Sequence, residues 1–276
     1  MARDDFRGAL DVALDALDRL GVSFPREPTP DDVGGAIQRA VEAIDGASQR
    51  TPSASPRTSM TPAVAAAQRI MLRSGSISYY VAPPMLPLIA CELVVTSVRW
   101  GPSVATPFGF AILGIVLNAS GMMQRAFACG ELALLLLDRW EDRRLEARTR
   151  LVVNNHCCTW IAPLDGRLDA LRDAYRIGRD TGDFEYAAIA GQCYATNAFV
   201  AGRESGCPHR RSRGVRGLHG NHAQRSILRL HLPLLQLARA FVGGLADPAR
   251  LDDSDLQIYR RPWPSRARAT ARASRS

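Results

Sequence analysis

The side chains best suited to chemistry fall in three short stretches. Cys207, His209, His219 and His222 bring four soft donors into sixteen residues. Zinc takes four such ligands, ordinarily paired as C-x2–4-C or H-x3–5-H. The gaps here are C-x-H and H-x-x-H, and the surrounding ESGCPHRRSRGVRGLHGNHA lacks any apolar period. That spacing favours an Arg/Gly-rich loop over a metal site. His156-Cys157-Cys158 sets an imidazole beside two thiols. Nucleophilic catalysis needs a thiolate facing that imidazole in a partly open pocket. Adjacent helix residues point about 100° apart, and Val152, Val153 and Trp160 share the run, so these cysteines read as packed core. Asp252, Asp253 and Asp255 form a carboxylate cluster of the kind that can hold Mg²⁺. They lie beside Pro248 with no second acidic motif, which fits a cap or loop better. No catalytic residue, metal ligand or cofactor-binding residue is assigned, and no cofactor is expected.

Lysine is absent, so all 35 basic residues are arginine. A Walker A loop needs its lysine on the phosphates and a protein kinase needs its strand lysine, so the sequence excludes both motifs and a Schiff-base lysine too. G-x-S-x-G, H-E-x-x-H and G-x-G-x-x-G do not occur either. The six cysteines form no C-x-x-C pair and sit mostly in apolar runs, which argues against a disulfide framework. No uninterrupted apolar run reaches the ~18 residues of a membrane span, and MARDDFRG has no apolar core of a secretory signal. A cytoplasmic location is the default expectation. Charge is divided unevenly. Residues 1–202 hold 20 arginines and 22 acids, net −2, whereas 203–276 hold 15 arginines and 5 acids, net +10.

The elements that position these groups read as helices. Phe6, Leu10, Ala13, Leu14 and Leu17 make the i, i+3, i+4, i+7 stripe of an amphipathic helix over 5–20. Thr29-Pro30-Asp31-Asp32 supplies an N-cap, a proline at the first position and first-turn acids for a second helix to about Ile44. A Ser/Thr/Pro stretch over 46–61 reads as a linker. Helices are then expected at 62–73, 86–99, 107–118, 123–140, 143–160, 165–180 and 184–201, with breakers at Gly101-Pro102, Pro163 and Gly182. Strand alternation is absent.

A period near 40 runs through this region. Arg99-Trp100, Arg139-Trp140 and Arg179 are spaced by 40, Ala147 and Ala187 likewise, and Glu92-Leu93 precedes Glu131-Leu132 by 39. Two helices per such unit indicate an α-helical solenoid of antiparallel helix pairs. In such a stack small side chains set the closest crossings, and Ala187, Ala188, Ala190, Gly191, Ala195 and Ala198 are expected there.

Asp5-Phe6-Arg7-Gly8-Ala9-Leu10, followed by Ala16, resembles the turn and second helix of a tetratricopeptide repeat. Gly182-Asp183-Phe184-Glu185-Tyr186-Ala187 spells the same turn. Three longer segments, SYYVAPPMLPLIACELVVTSVRWGPSVATPFGFAILGIVL, LEARTRLVVNNHCCTWIAPL and LRDAYRIGRDTGDFEYAAIAGQCYATNAFVAG, resemble the tetratricopeptide-like helical region of large bacterial signalling proteins. Those proteins join a serine/threonine kinase, an AAA/STAND-type ATPase, this helical region, a GAF module and a sensor histidine kinase. The resemblance implies an all-α, tetratricopeptide-like solenoid and a fragment without the catalytic domains, so none of their active residues carries over. It implies a scaffold that relays regulation by binding other protein domains or helices in a concave groove.

The expected organisation is a partial helical repeat at 1–45, the linker at 46–61 and the helical-repeat core at 62–202. A disordered basic loop at 203–223, a further helix at 224–246 and a basic disordered tail at 247–276 follow. The alternative functions are a nucleic-acid or acidic-partner binder acting through the Arg-rich C-terminal quarter, and an all-α enzyme of unrecognised type. The last eighteen residues, YRRPWPSRARATARASRS, carry six arginines and no acid. Two readings compete for this segment and for 203–223: a basic arm, or translation out of frame from a GC-rich gene. The family-like pattern lapses at Arg203 and returns near Gln224, which favours the second; either predicts disorder.

Overall fold

The computed structural model describes residues 2–48, 60–139 and 143–203. Every regular element among them is helical. In order these are α1 (Ala2–Arg19), α2 (Pro30–Ser48), α3 (Pro62–Val81), α4 (Met85–Trp100), α5 (Thr106–Ala119), α6 (Met123–Leu137), α7 (Glu146–Val152), α8 (Asp165–Thr181) and α9 (Phe184–Val200). A 3₁₀ turn, Arg143–Leu145, leads into α7, and a π turn, Val153–Cys157, follows it. The chain divides into two compact units, Met1–Ala190 and Gly191–Ser276.

Local chemistry sets the helix starts. Thr29 Oγ1 accepts from the Asp32 N–H at 3.2 Å while Asp32 Oδ2 accepts from the Thr29 N–H at 2.8 Å, a reciprocal capping box ahead of α2. The Thr29 hydroxyl, which donates to Asp32 Oδ2 at 2.7 Å, and the Thr29 N–H together hold the Asp32 carboxyl below the usual aspartate range. Thr61 caps α3 by accepting from the Val64 N–H, with Pro62 at the first position. At the other end of α8, Gly182 adopts φ +79°, a left-handed conformation that closes the helix with no Cβ penalty.

The helices pack as an all-α stack. Connections as short as Ala82–Pro84 and Ser120–Met122 oblige α3 and α4, and α5 and α6, to run antiparallel. α7 pairs with α8, and α5 also packs on α4 and α7. The period of 40 falls on equivalent places: Arg99 and Arg179 lie in the last turns of α4 and α8, and Arg139 just beyond α6. Ala147 and Ala187 occupy the first turns of α7 and α9, both fully buried. α5 is apolar on all sides and buried along nearly its whole length, as a central helix must be. Both helices of the expected partial repeat join this core: α1 lays Leu10, Leu14 and Leu17 on α3, and α2 lays Ala36, Ile37 and Ala40 on α4. Each fully buried leucine contributes about 1.5–3 kcal/mol. Phe6, at the start of the stripe, stays exposed.

Four expectations need correction. α3 runs to Val81 rather than 73, because Gly75 packs among Leu86, Ile89 and Ile112, while the Ser74 and Ser78 hydroxyls are satisfied by Ile70 O and Gly75 O within the helix. Pro83-Pro84 follows its end. α6 ends at Leu137, short of 140. The helix expected over 143–160 is broken into three pieces. At α-helical pitch Val152, Val153, Cys157 and Cys158 would spread over more than half the circumference; a π turn realigns them. All four are buried, and the Cys158 N–H bonds Val153 O at 3.1 Å, five residues back. Finally, α8 and α9 cross closely at Gly178 and Ala187, where a Cβ on the glycine would sit 2.9 Å from the alanine Cβ. Ala188, Ala190 and Ala198 are buried, but Gly191 and Ala195 are only half-buried.

The linker assigned to 46–61 begins inside α2, which continues to Ser48. Its residues 49–59, the basic loop from 204 to 223, the helix at 224–246 and the tail at 247–276 lie outside the described residues. No helix among the described residues is long and apolar enough to cross a membrane.

Candidate functional site

Cys157 is wedged between two helices. A Cβ on Gly114 of α5 would collide with its Sγ, and one on Gly130 of α6 would lie 2.8 Å from its Cβ. The thiol donates to Ala111 O at 3.3 Å in the core. Burial pushes both the Cys157 and the Cys158 thiols up, Cys157 well above the ordinary range. His156 is exposed, and its carbonyl accepts a hydrogen bond from Asn118 Nδ2. The three neighbours therefore make no nucleophile–base pair. Cys91 and Cys129 are buried as well, their thiols pushed up to about 12 and about 11 by desolvation. A thiol held protonated is a poor nucleophile.

Arg167 serves the same region from α8. Its guanidinium is buried and donates to Pro163 O at 3.1 Å, Ala162 O at 2.7 Å and Asn154 O at 3.4 Å. The Ala162 and Pro163 carbonyls belong to the connection between the broken helix and α8, so Arg167 ties that connection to the π turn.

The densest convergence of charged and aromatic groups was not singled out in the sequence. It joins α3, α5, α7 and the start of α9. Arg148 of α7 reaches Asp183, which precedes α9: Nε lies 2.9 Å and Nη2 2.8 Å from Asp183 Oδ2. The guanidinium also lies over the Tyr186 ring, 4.4 Å from its centroid, and 5.7 Å from that of Phe108. Phe108 and Tyr186 meet edge to face at 5.9 Å. The Tyr186 hydroxyl lies 3.5 Å from Ser76 Oγ of α3. One turn further along α3, burial and the nearby Glu185 carboxylate raise the Tyr80 phenol above its usual range. Burial raises the Glu185 carboxyl above the usual glutamate range; Asp183 adds to this and Arg148 opposes it.

This arrangement ties α3, α5, α7 and α9 together. Arg148 is held by a carboxylate and two ring faces, and burial raises the pKa of Tyr186, so its phenol remains protonated at neutral pH. The sequence offered only a faint signal: Tyr79-Tyr80 as adjacent aromatics, and Asp183-x-Glu185 in the turn motif. The 35-residue separation of Arg148 from Asp183 hides the pair from any local pattern.

Among the described residues no group of three or more His, Cys, Asp or Glu side chains could hold a metal ion. Cys207, His209, His219, His222, Asp252, Asp253 and Asp255 lie outside them. In comparisons with known proteins, no family model, curated protein or solved structure matches the chain.

Proposed function

We propose that this chain is a non-catalytic helical-repeat segment of a multidomain bacterial signalling protein, mediating contacts between protein domains. The observation that carries this reading is the Arg148 junction. Its charged groups are engaged in fastening four helices together, while the aromatic residues beside it, Tyr79, Tyr80 and Phe184, are exposed. A stack of helix pairs with a stiff internal clamp and outward-facing tyrosines suits recognition, in which tyrosine supplies broad contact area with a polar tip. The quoted segments that resemble the kinase–ATPase–sensor-kinase proteins supply the context. Sequencing the coding DNA on both sides tests it. A kinase–ATPase frame upstream and a sensor histidine-kinase frame downstream are expected, and unrelated frames on both sides would overturn the signalling context.

One observation favours a second reading. Residues 203–276 carry a net charge of +10, which suits an acidic partner such as nucleic acid. Duplex DNA affinity that falls steeply between 50 and ~200 mM salt, and disappears on deletion of 256–276, would support it.

A further inference from the structure

The α1–α2 connection and the first half of α2 enclose a cleft of about 180 Å³ against α4. Phe24, Pro25, Ala36 and Leu88 supply its apolar lining, and the last two are buried in the core. Its charged lining carries both signs, Asp31 and Asp32 from the start of the α2 segment and Arg39 from its end. The Arg39 side chain folds back along its own helix: a Cβ on Gly35, which also lines the cleft, would lie 3.5 Å from Arg39 Nη1. Among the described residues neither Arg39 nor Asp31 has an ion pair or hydrogen bond. Asp32 is tethered through Oδ2 to the Thr29 N–H at 2.8 Å and the Thr29 hydroxyl at 2.7 Å, and its Oδ1 is left without a hydrogen bond. After those bonds, the Arg39 charge also helps to hold the Asp32 carboxyl low, yet the two make no ion pair. Opposite charges thus stand in one apolar cleft without closing on each other. We propose that this cleft binds a free α-amino acid with an aliphatic side chain, of the leucine type.

The lining selects this class by elimination. A simple anion would meet Asp31 and Asp32, and a simple cation would meet Arg39. A neutral apolar molecule would take water from all three charges and return no partner. A zwitterion answers both signs. The Arg39 fork takes the carboxylate, and Asp31 with Asp32 Oδ1 takes the ammonium. The aliphatic side chain then leaves water against Phe24, Ala36 and Leu88. Size points the same way. Sites for drug-sized ligands span roughly 300–1,000 Å³, so this cleft suits a smaller molecule. A peptide segment would bring its two charges on separate long side chains and pay to order both, whereas an amino acid carries them on one carbon. Binding would fasten α2 onto α4 and give the helical stack a small-molecule input. This goes beyond the interaction role proposed above and does not depend on it.

The test is NMR of the full chain with isotope-labelled leucine and alanine methyl groups, titrated with unlabelled L-leucine to ~20 mM, which covers a millimolar site. Saturable shifts of the Leu88 and Ala36 methyls are expected. Isocaproate, which is leucine without its ammonium, and isoamylamine, which is leucine without its carboxylate, should each bind at least about tenfold more weakly. Arg39→Gln should remove the response and Asp31→Asn should weaken binding by at least about threefold. Both side chains are exposed, so helix content by circular dichroism should not change. No saturable shift at Leu88 and Ala36 would overturn the proposal, as would equal binding of isocaproate or binding indifferent to Arg39→Gln. The scaffold role survives any of these results, because it needs no ligand in this cleft.

Discussion

Arg148 and Asp183, 35 residues apart, meet through two nitrogen–oxygen contacts of 2.9 and 2.8 Å on a single carboxylate oxygen. Their side chains are 23% and 10% exposed. The pair fastens α7 to the turn between α8 and α9. Removing one partner leaves the other partly buried without its counter-charge, which costs more than a surface pair would. Asp183→Ala should therefore destabilise the protein by about 1–3 kcal/mol, read from the urea midpoint. A double-mutant cycle with Arg148→Ala should return a coupling of the same sign. Independent, additive effects would show that the contact carries no energy.

The crossing at Gly178 makes a steric prediction. A Cβ there would lie 2.9 Å from Ala187 Cβ and 3.0 Å from Asp183 O, and the latter is backbone that cannot rotate away. Gly178→Ala should cost about 1–3 kcal/mol by overpacking, despite alanine's better helix propensity. A raised denaturation midpoint would mean that the two helices do not approach so closely.

The thiols offer a chemical check. Cys91, Cys129, Cys157 and Cys158 are buried, and desolvation raises their pKa values. Brief treatment with iodoacetamide at neutral pH should leave all four unmodified by peptide mass mapping, and full labelling should follow in urea. Fast native labelling of Cys157 would reinstate it as a nucleophile.

Much of this architecture could be read from the sequence, and the reason is physical. The capping chemistry of Thr29 and Asp32 is local, so it announced α2 correctly. The recurrence of Arg99, Arg139 and Arg179 falls at or just beyond the C-terminal ends of α4, α6 and α8. What failed depends on distant contacts. Ser74-Gly75-Ser76 looks like a breaker, yet tertiary packing carries α3 through it, with Gly75 among Leu86, Ile89 and Ile112. The π turn exists because Cys157 must enter a slot between Gly114 and Gly130, which no local period reveals. The Arg148 junction gathers single residues from four helices, and each alone reads as an ordinary surface or core position.

Glu92 gives a pH dependence. Burial raises its pKa, and Arg39 and Arg99 offset only part of the effect. The folded state therefore holds its proton more tightly than the unfolded chain, whose glutamate titrates near ~4.3. The associated stability is fully present below that value and is lost as pH rises through the folded-state pKa. Glu92→Gln should flatten this decline and raise the urea midpoint at neutral pH. An unchanged slope would show that Glu92 is solvated in the folded protein.

The absence of lysine predicts that the chain does not bind nucleotide through a phosphate loop. Titration with Mg-ATP should produce no saturable heat. Micromolar binding would return the all-α enzyme reading to the front.

The proposed interaction role is tested most directly by titrating the full chain into the separately purified product of the upstream reading frame, proposed to be a kinase–ATPase portion, by calorimetry. Saturable one-to-one binding, weakened by Tyr80→Leu, is the predicted result. No heat at protein concentrations up to ~100 μM, where even a weak partner at the micromolar level would bind, would contradict it.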